Sequence, residues 1–213
     1  MMKLLYKELA LAAHPTLFIF TFLGCLVIVP SYPYTVIFLF GCLAPYITFM
    51  FARENNDAWY TAVLPVKKSE IVKAKCGLII SAQIGQLLVS IPFAVLRSLL
   101  GIPNNPVGLD ATLSWYGIGL VIFSLFDLTF FPAYYKSGYK AGKSFLLALL
   151  PVIPIMLLDE TAVHFPSLAW LDSTAPENLI LQLPILLFGL VCYACLLPLS
   201  CRIASKRFQK VDL

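Results

Sequence analysis

The residues best suited to chemistry are few and scattered. Gly138-Tyr139-Lys140-Ala141-Gly142-Lys143-Ser144 has the ingredients of a phosphate-binding loop. Such a loop sets four residues between its glycines and follows a strand, so that successive backbone N–H groups wrap the phosphates. Here three residues intervene, and the segment joins two apolar stretches. It reads as a basic turn, and no nucleotide or other cofactor site is expected on this chain. The six cysteines are Cys25, Cys42, Cys76, Cys192, Cys195 and Cys201. Cys192 and Cys195 lie one turn apart with no second ligand pair, so the cysteines read as small apolar packing residues. His14 and His164 fall on opposite membrane faces in the topology below and cannot share a metal. An intramembrane hydrolase would need paired aspartates, a serine with a base, or a metal cluster. None is assembled, so no catalytic residue and no metal site are expected.

Two charged residues remain inside or beside apolar stretches. Asp127 is the only carboxylate well within one, and such groups face a bundle interior or a wet cavity. Three roles are open to it: bonding polar groups, lining a translocation cavity, or carrying a proton. Arg97 falls at the far end of its apolar stretch. It is expected to snorkel to the outer interface, with a pairing to Asp110 as the alternative.

The elements that must position these residues are membrane helices. The 213 residues are 60% hydrophobic and 12% charged, where soluble domains carry roughly 25% charged residues. The expected fold class is an all-α integral membrane protein, one transmembrane domain over residues 1–213. Residues 1–14 form an amphipathic interfacial helix, with Lys3 and Lys7 on one stripe and Leu4, Leu5 and Leu9 on another. Six transmembrane helices are expected at about 15–30, 35–52, 76–98, 112–131, 144–158 and 179–199. The fifth is short and holds Pro151 and Pro154, so it is expected to kink or not to cross as regular helix. Gly77, Ser81 and Gly85 recur every four residues on the third and favour close helix packing.

Between spans 2 and 3, residues 53–75 hold Arg53, Glu54, Asp57, Lys67, Lys68, Glu70, Lys73 and Lys75. Each charge at mid-bilayer costs ~2.5–3.5 kcal/mol or more, so this segment lies in water. Asn55 or Asn56 is expected to cap a short helix with Asp57 in its first turn. Ala58, Trp59, Ala62 and Val63 share a face, Pro65 ends the helix, and Ser69 caps the next one. The apolar face needs a partner, either the lipid surface or a soluble subunit. Of the 15 basic residues, all but Arg97 fall on one side of the six-span plan. That side is expected to be cytoplasmic, with both termini there. The net charge of +4 follows from this placement and implies no nucleic acid partner.

Two runs carry a resemblance. Leu64-Pro65-Val66-Lys67-Lys68-Ser69-Glu70-Ile71-Val72-Lys73-Ala74-Lys75 resembles the segment between the second and third spans of bacterial ABC type-2 exporter permeases. Pro132-Ala133-Tyr134-Tyr135-Lys136-Ser137-Gly138-Tyr139-Lys140 resembles the segment after their fourth span. The whole span plan is similar to the small six-span group that includes phenol-soluble-modulin and antimicrobial-peptide exporters. Ser137 and Cys76 depart from it, standing where aromatic residues are usual.

The resemblance implies a permease subunit of the bacterial cytoplasmic membrane without its own nucleotide site. It would pair with a second permease, as homodimer or heterodimer, and rest on an ABC ATP-binding subunit that holds ATP and magnesium. A cytoplasmic coupling helix would seat Asn56, Asp57, Trp59, Tyr60, Val63 and Leu64 against that subunit. The substrate would be amphipathic or hydrophobic, a peptide or drug, moved out of the cell. The competing readings are a proton-coupled secondary transporter using Asp127, and a non-transporting immunity or sensor subunit. The single central carboxylate and the lack of a visible internal repeat weigh against the former.

Overall fold

A computed structural model describes residues 2–62 and 66–210; for Met2, Lys3, Leu11, Ala12, Ala58, Trp59 and Ala62 it describes the backbone. Among the described residues the secondary structure is helical throughout. Helix α1 (Met2–Lys7) continues as a π-helical turn, Glu8–Ala12. Helix α2 (Pro15–Phe22) continues as a 3-10 helix, Leu23–Ile28. There follow α3 (Thr35–Glu54), α4 (Asp57–Ala62), α5 (Lys68–Leu99), α6 (Leu113–Lys136), α7 (Ala141–Ala162) and α8 (Pro176–Gln209). A 3-10 turn, Pro166–Leu171, precedes α8.

Pro15 sets the first corner. The residue before a proline is pushed out of the α region, and His14 is extended, with φ −72° and ψ 143°. Its Nδ1 accepts from the Thr16 backbone N–H at 3.2 Å, capping α2. The amino-terminal helix and the Pro15–Ile28 segment are bent by 87° at this point. Five helices are long and apolar enough to cross a membrane, and this bent pair is the sixth candidate. The Pro15–Ile28 segment lies antiparallel to α3: the His14 ring meets Phe51 at 4.8 Å, and Tyr34 Oη donates to the Val29 carbonyl at 3.1 Å. Its stretched 3-10 half, rising ~2.0 Å per residue, lets so few residues cover most of that length. The change of helix type frees carbonyls that hydrocarbon would leave unpaired. Gln86 of α5 answers one of them, its Nε2 donating to Phe20 O at 2.8 Å and to Ile37 O at 3.0 Å.

Helix α6 is the hub, packed chiefly against α8 and α7. A Cβ on Gly189 of α8 would collide with the backbone of Gly117 on α6, and one on Gly117 with the backbone of Ile185. The two helices therefore touch backbone to backbone, as small residues permit in membranes. Gly77 and Gly85 work within the bundle: Gly77 faces Leu5 and Gly85 faces Thr21, so this stripe seats the amino-terminal helix and α2. Ser81 of the same stripe is exposed. Phe38, Trp115, Phe123, Phe126 and Phe130 fill the core, while Leu146, Leu150, Leu157, Ile180, Leu187 and Phe188 face outward.

Several expectations change. Helix α7 is continuous through Pro151 and Pro154 from Ala141 to Ala162. It is long enough to cross, because each proline gives up only one backbone bond within many turns. Helix α6 runs through Pro132, whose carbonyl accepts from Arg207 Nη1 at 2.7 Å. The basic turn shrinks accordingly to the few residues around Gly138 and Tyr139, which have φ of 66° and 65°. Arg97 does not snorkel. It is buried, with Nη1 on Asp110, Nη2 on the Pro103 carbonyl, and its guanidinium 5.2 Å from the Tyr34 ring centroid. The Asp110 N–H in turn donates to Asp172 Oδ1 at 2.6 Å. The loops at 100–112 and 163–175 are thus tied to one guanidinium.

Gly189→Ala should destabilise the bundle by ~1–3 kcal/mol through overpacking. Gly142→Ala, at a helical site with open space, should be neutral or stabilising. Thermal unfolding in detergent reads both; equal melting temperatures would contradict the α6–α8 contact.

Candidate functional site

Helix α4 lies where α3 ends and α5 begins, at the end of the bundle that gathers Arg53, Lys75, Lys136, Arg202 and Lys206. The connection is sharp. Asn56 adopts φ 52°, which a short polar side chain tolerates, and its carbonyl accepts from Tyr60 N at 3.1 Å to start the helix. Neither Asn55 nor Asn56 caps through its side chain; the backbone alone makes the turn. Nor does Ser69 cap α5. That helix starts at Lys68, and Glu70 Oε2 accepts from the Lys67 N–H at 3.4 Å.

Four charges then close into a ring. Lys7 Nζ meets Glu8 Oε1 at 2.9 Å and Asp57 Oδ1 at 2.7 Å. Lys75 Nζ meets Glu8 Oε2 at 3.0 Å and Asp57 Oδ2 at 2.5 Å. Thr61 Oγ1 accepts from Lys7 at 2.8 Å and donates to the Asp57 carbonyl at 2.7 Å. Glu8 is 1% exposed. The ring pins α4 to the amino-terminal helix on one side and to α5 on the other. Burial alone would push the Asp57 carboxyl up, but Lys75 and Lys7 outweigh it and hold the group below its ordinary value. Burial alone would pull Lys7 down; its hydrogen bonds and attraction to Asp57 and Glu8 leave it raised.

A cavity of about 260 Å³ lies behind the ring, bounded by Arg53, Asp57 and Lys75 and walled by Tyr134, Tyr135, Tyr139 and Phe208. Burial pushes the Tyr139 phenol up to about 12. Of the expected coupling residues, Asn56, Asp57 and Tyr60 come together here; Tyr60 is 65% exposed. Trp59 lies on α4, but its side chain is outside the described set, and Val63 and Leu64 lie outside the described residues.

Asp127 is remote from this site. It sits in a wholly buried polar node, with Gln83 Nε2 donating to Oδ1 at 3.1 Å and Tyr193 Oη donating to Gln83 Oε1 at 2.9 Å. Ser200 Oγ donates to the Asp127 carbonyl at 2.5 Å. The node joins α5, α6 and α8. Among the described residues no three His, Cys, Asp or Glu side chains converge as a metal set would.

A bundle of five to six helices able to span a membrane, with a short helix clamped at its basic end, is one half of the comparison; the sequence is the other. A family model described as ABC-2 family transporter protein matches residues 3–205. The chain belongs to that family. No curated protein and no solved structure matches it. Membership makes the chain a multi-pass membrane permease, a transport component, and implies an ABC ATP-binding partner.

The permease holds charged residues at this end that sequence reasoning passed over. Lys75 counts there only as topological charge, Lys7 as that and as part of the polar stripe of the amino-terminal helix, and Glu8 not at all. A signal was present: Glu8 is the sole acidic residue before Glu54. A lone carboxylate in such a stretch needs a cation.

Asp57, held below its ordinary 3.8, stabilises the ring above that pH and stops doing so as pH falls through its folded value. Lys7, raised above 10.5, stabilises below that pH and stops as pH rises through its folded value. Hydrogen exchange of the amides of residues 4–10 should therefore be slow and flat between about pH 5 and pH 9, once corrected for intrinsic rate. Glu8→Gln leaves Lys7 and Lys75 sharing Asp57 alone, one buried positive charge in excess, and should cost about 3–5 kcal/mol, with exchange there accelerated in proportion. Unchanged protection in Glu8→Gln would mean that the ring does not hold α1.

Proposed function

We propose that the permease is the membrane subunit of an ATP-driven exporter in the bacterial cytoplasmic membrane, and that α4 is its coupling helix. One observation carries this reading: α4 is clamped by the charge ring while Tyr60 stays exposed. At 3.6 residues per turn, position 59 lies opposite positions 57 and 61. The clamped face is thus Asp57 and Thr61, and position 59 lies on the other face, where a partner would dock. ATP and magnesium bind that partner. When nucleotide closes it, the push on α4 reaches α1 and α5 together, because the ring makes the three one body. Two permeases, alike or different, then switch access from the inner to the outer side. The amino-terminal helix lies along the interface, at right angles to α2. Asp127, buried and bonded to Gln83, favours ATP coupling over proton coupling. The resemblance to phenol-soluble-modulin exporters supports an amphipathic or hydrophobic substrate such as a peptide or drug.

Aromatic anchors at interfaces often contribute ≥ ~2 kcal/mol, about thirty-fold in affinity. Trp59→Ala and Tyr60→Ala should weaken capture of the ATP-binding subunit to that degree and uncouple hydrolysis from export in vesicles. Capture and transport both at wild-type levels would show that α4 is not the docking element. Orientation is tested separately. In a variant without native cysteines, Gln209→Cys should be shielded from an impermeant thiol reagent in intact cells, and the exposed Asn104→Cys should react. The reverse pattern would invert the topology.

A further inference from the structure

A second site lies on the outside of the bundle, between α5 and α8, at the basic end. We propose that it binds the phosphate of an anionic phospholipid in the adjoining leaflet. The groove has a volume of about 450 Å³. Ser69 and Lys73, one turn apart on α5, form one wall; Arg202, Ser205 and Lys206 on α8 form the other. Three cations therefore converge. None has an ion-pair or hydrogen-bond partner among the described residues, although Lys7, Lys75 and Arg97 all have carboxylate partners. Unpaired like charges held together repel, and an anion between them removes the repulsion. Ser205 adds an independent sign. It is 8% exposed, and its hydroxyl is buried with no partner. Such an orphan is costly unless a ligand satisfies it.

The vertical order of the groove fits a lipid better than a free ion. Pro198 and Leu199 are exposed just above it, Leu199 at 45%. From there α8 descends ~10 Å to Lys206, so apolar surface gives way to charge over about the depth of a phospholipid's ester and phosphate region. Basic pockets between membrane helices commonly take anionic headgroups. A neighbouring groove between α6 and α7 holds Lys136 and Lys143, but its hydroxyls, Ser137 and Ser144, lie 3.3 Å apart and bond each other. It offers cations but no unsatisfied buried hydroxyl, and serves as the control. The proposal needs only that the chain spans a membrane, and stands whether or not α4 docks an ATPase.

The test uses the purified full chain in detergent, with melting temperature and native mass spectrometry as readouts. Phosphatidylglycerol should stay bound and raise the melting temperature; phosphatidylcholine and inorganic phosphate should not. Each cation contributes roughly five-fold in affinity, so Lys73→Gln/Arg202→Gln/Lys206→Gln should weaken phosphatidylglycerol binding by about 100-fold. Lys136→Gln/Lys140→Gln/Lys143→Gln should keep it. Should the first triple variant fail to fold, Ser205→Asp, which sets a carboxylate in the groove, should abolish retention by itself. Equal loss in both triple variants would reduce the effect to surface charge and overturn the site. Inorganic phosphate matching phosphatidylglycerol would assign the groove to a free anion. Lipid binding intact but the ATP-binding subunit lost would assign it to a protein interface.

Discussion

Two lysines and two carboxylates, alternating in a closed ring, fix the architecture of the basic end. Charges in such a place are expensive to dehydrate, and an attraction between one pair rarely repays that cost. A ring in which each charge meets two opposites has a better balance: every lysine touches both Glu8 and Asp57. The contacts span the amino-terminal helix, α4 and α5. Without the ring, α4 would be a six-residue helix, too short to persist in water.

The same demand recurs through the bundle in weaker form. Hydrocarbon offers no partner to a polar group, so each one must find an internal partner. Gln86 bridges α2 and α3 by donating to two carbonyls. Gln83 links Asp127 to Tyr193 and so joins α6 to α8. Arg97 gathers two loops at the opposite end. Apolar packing between membrane helices has little of the driving force it has in water, and these few polar ties, with the Gly117–Gly189 contact, select one arrangement among many.

A short helix tied to both the amino-terminal helix and α5 passes on a displacement differently from a free loop. Displacement of α4 cannot be absorbed locally, because Lys7 and Lys75 move with Asp57. The amino-terminal helix then follows any movement of α4. The phosphate groove on the far side of α5 places a lipid contact on the same helix.

The hydropathy of the chain fixed its class, and charge asymmetry fixed which helix ends lie together; both follow from composition summed over many residues. The charge density of residues 53–75 marked them as a connection lying in water, though Ile71, Val72, Ala74 and Lys75 are buried in α5, and the Leu64–Lys75 run carried the family resemblance. Contacts between residues distant in sequence were not legible. Glu8 and Lys75, or Gln83 and Tyr193, are joined by tertiary packing, and helical periodicity says nothing of which helix a face will meet. Arg97 shows the limit most plainly: its place at the end of an apolar stretch was readable, but whether its long side chain reached for water or folded back onto Asp110 depended on where the following loop came to rest. Local pattern determined the helices and their order, because hydrocarbon imposes that on any apolar stretch. The partners of Lys75, Asp57 and Asp127 were decided by the fold, because each meets its partner only when another helix brings that group to it.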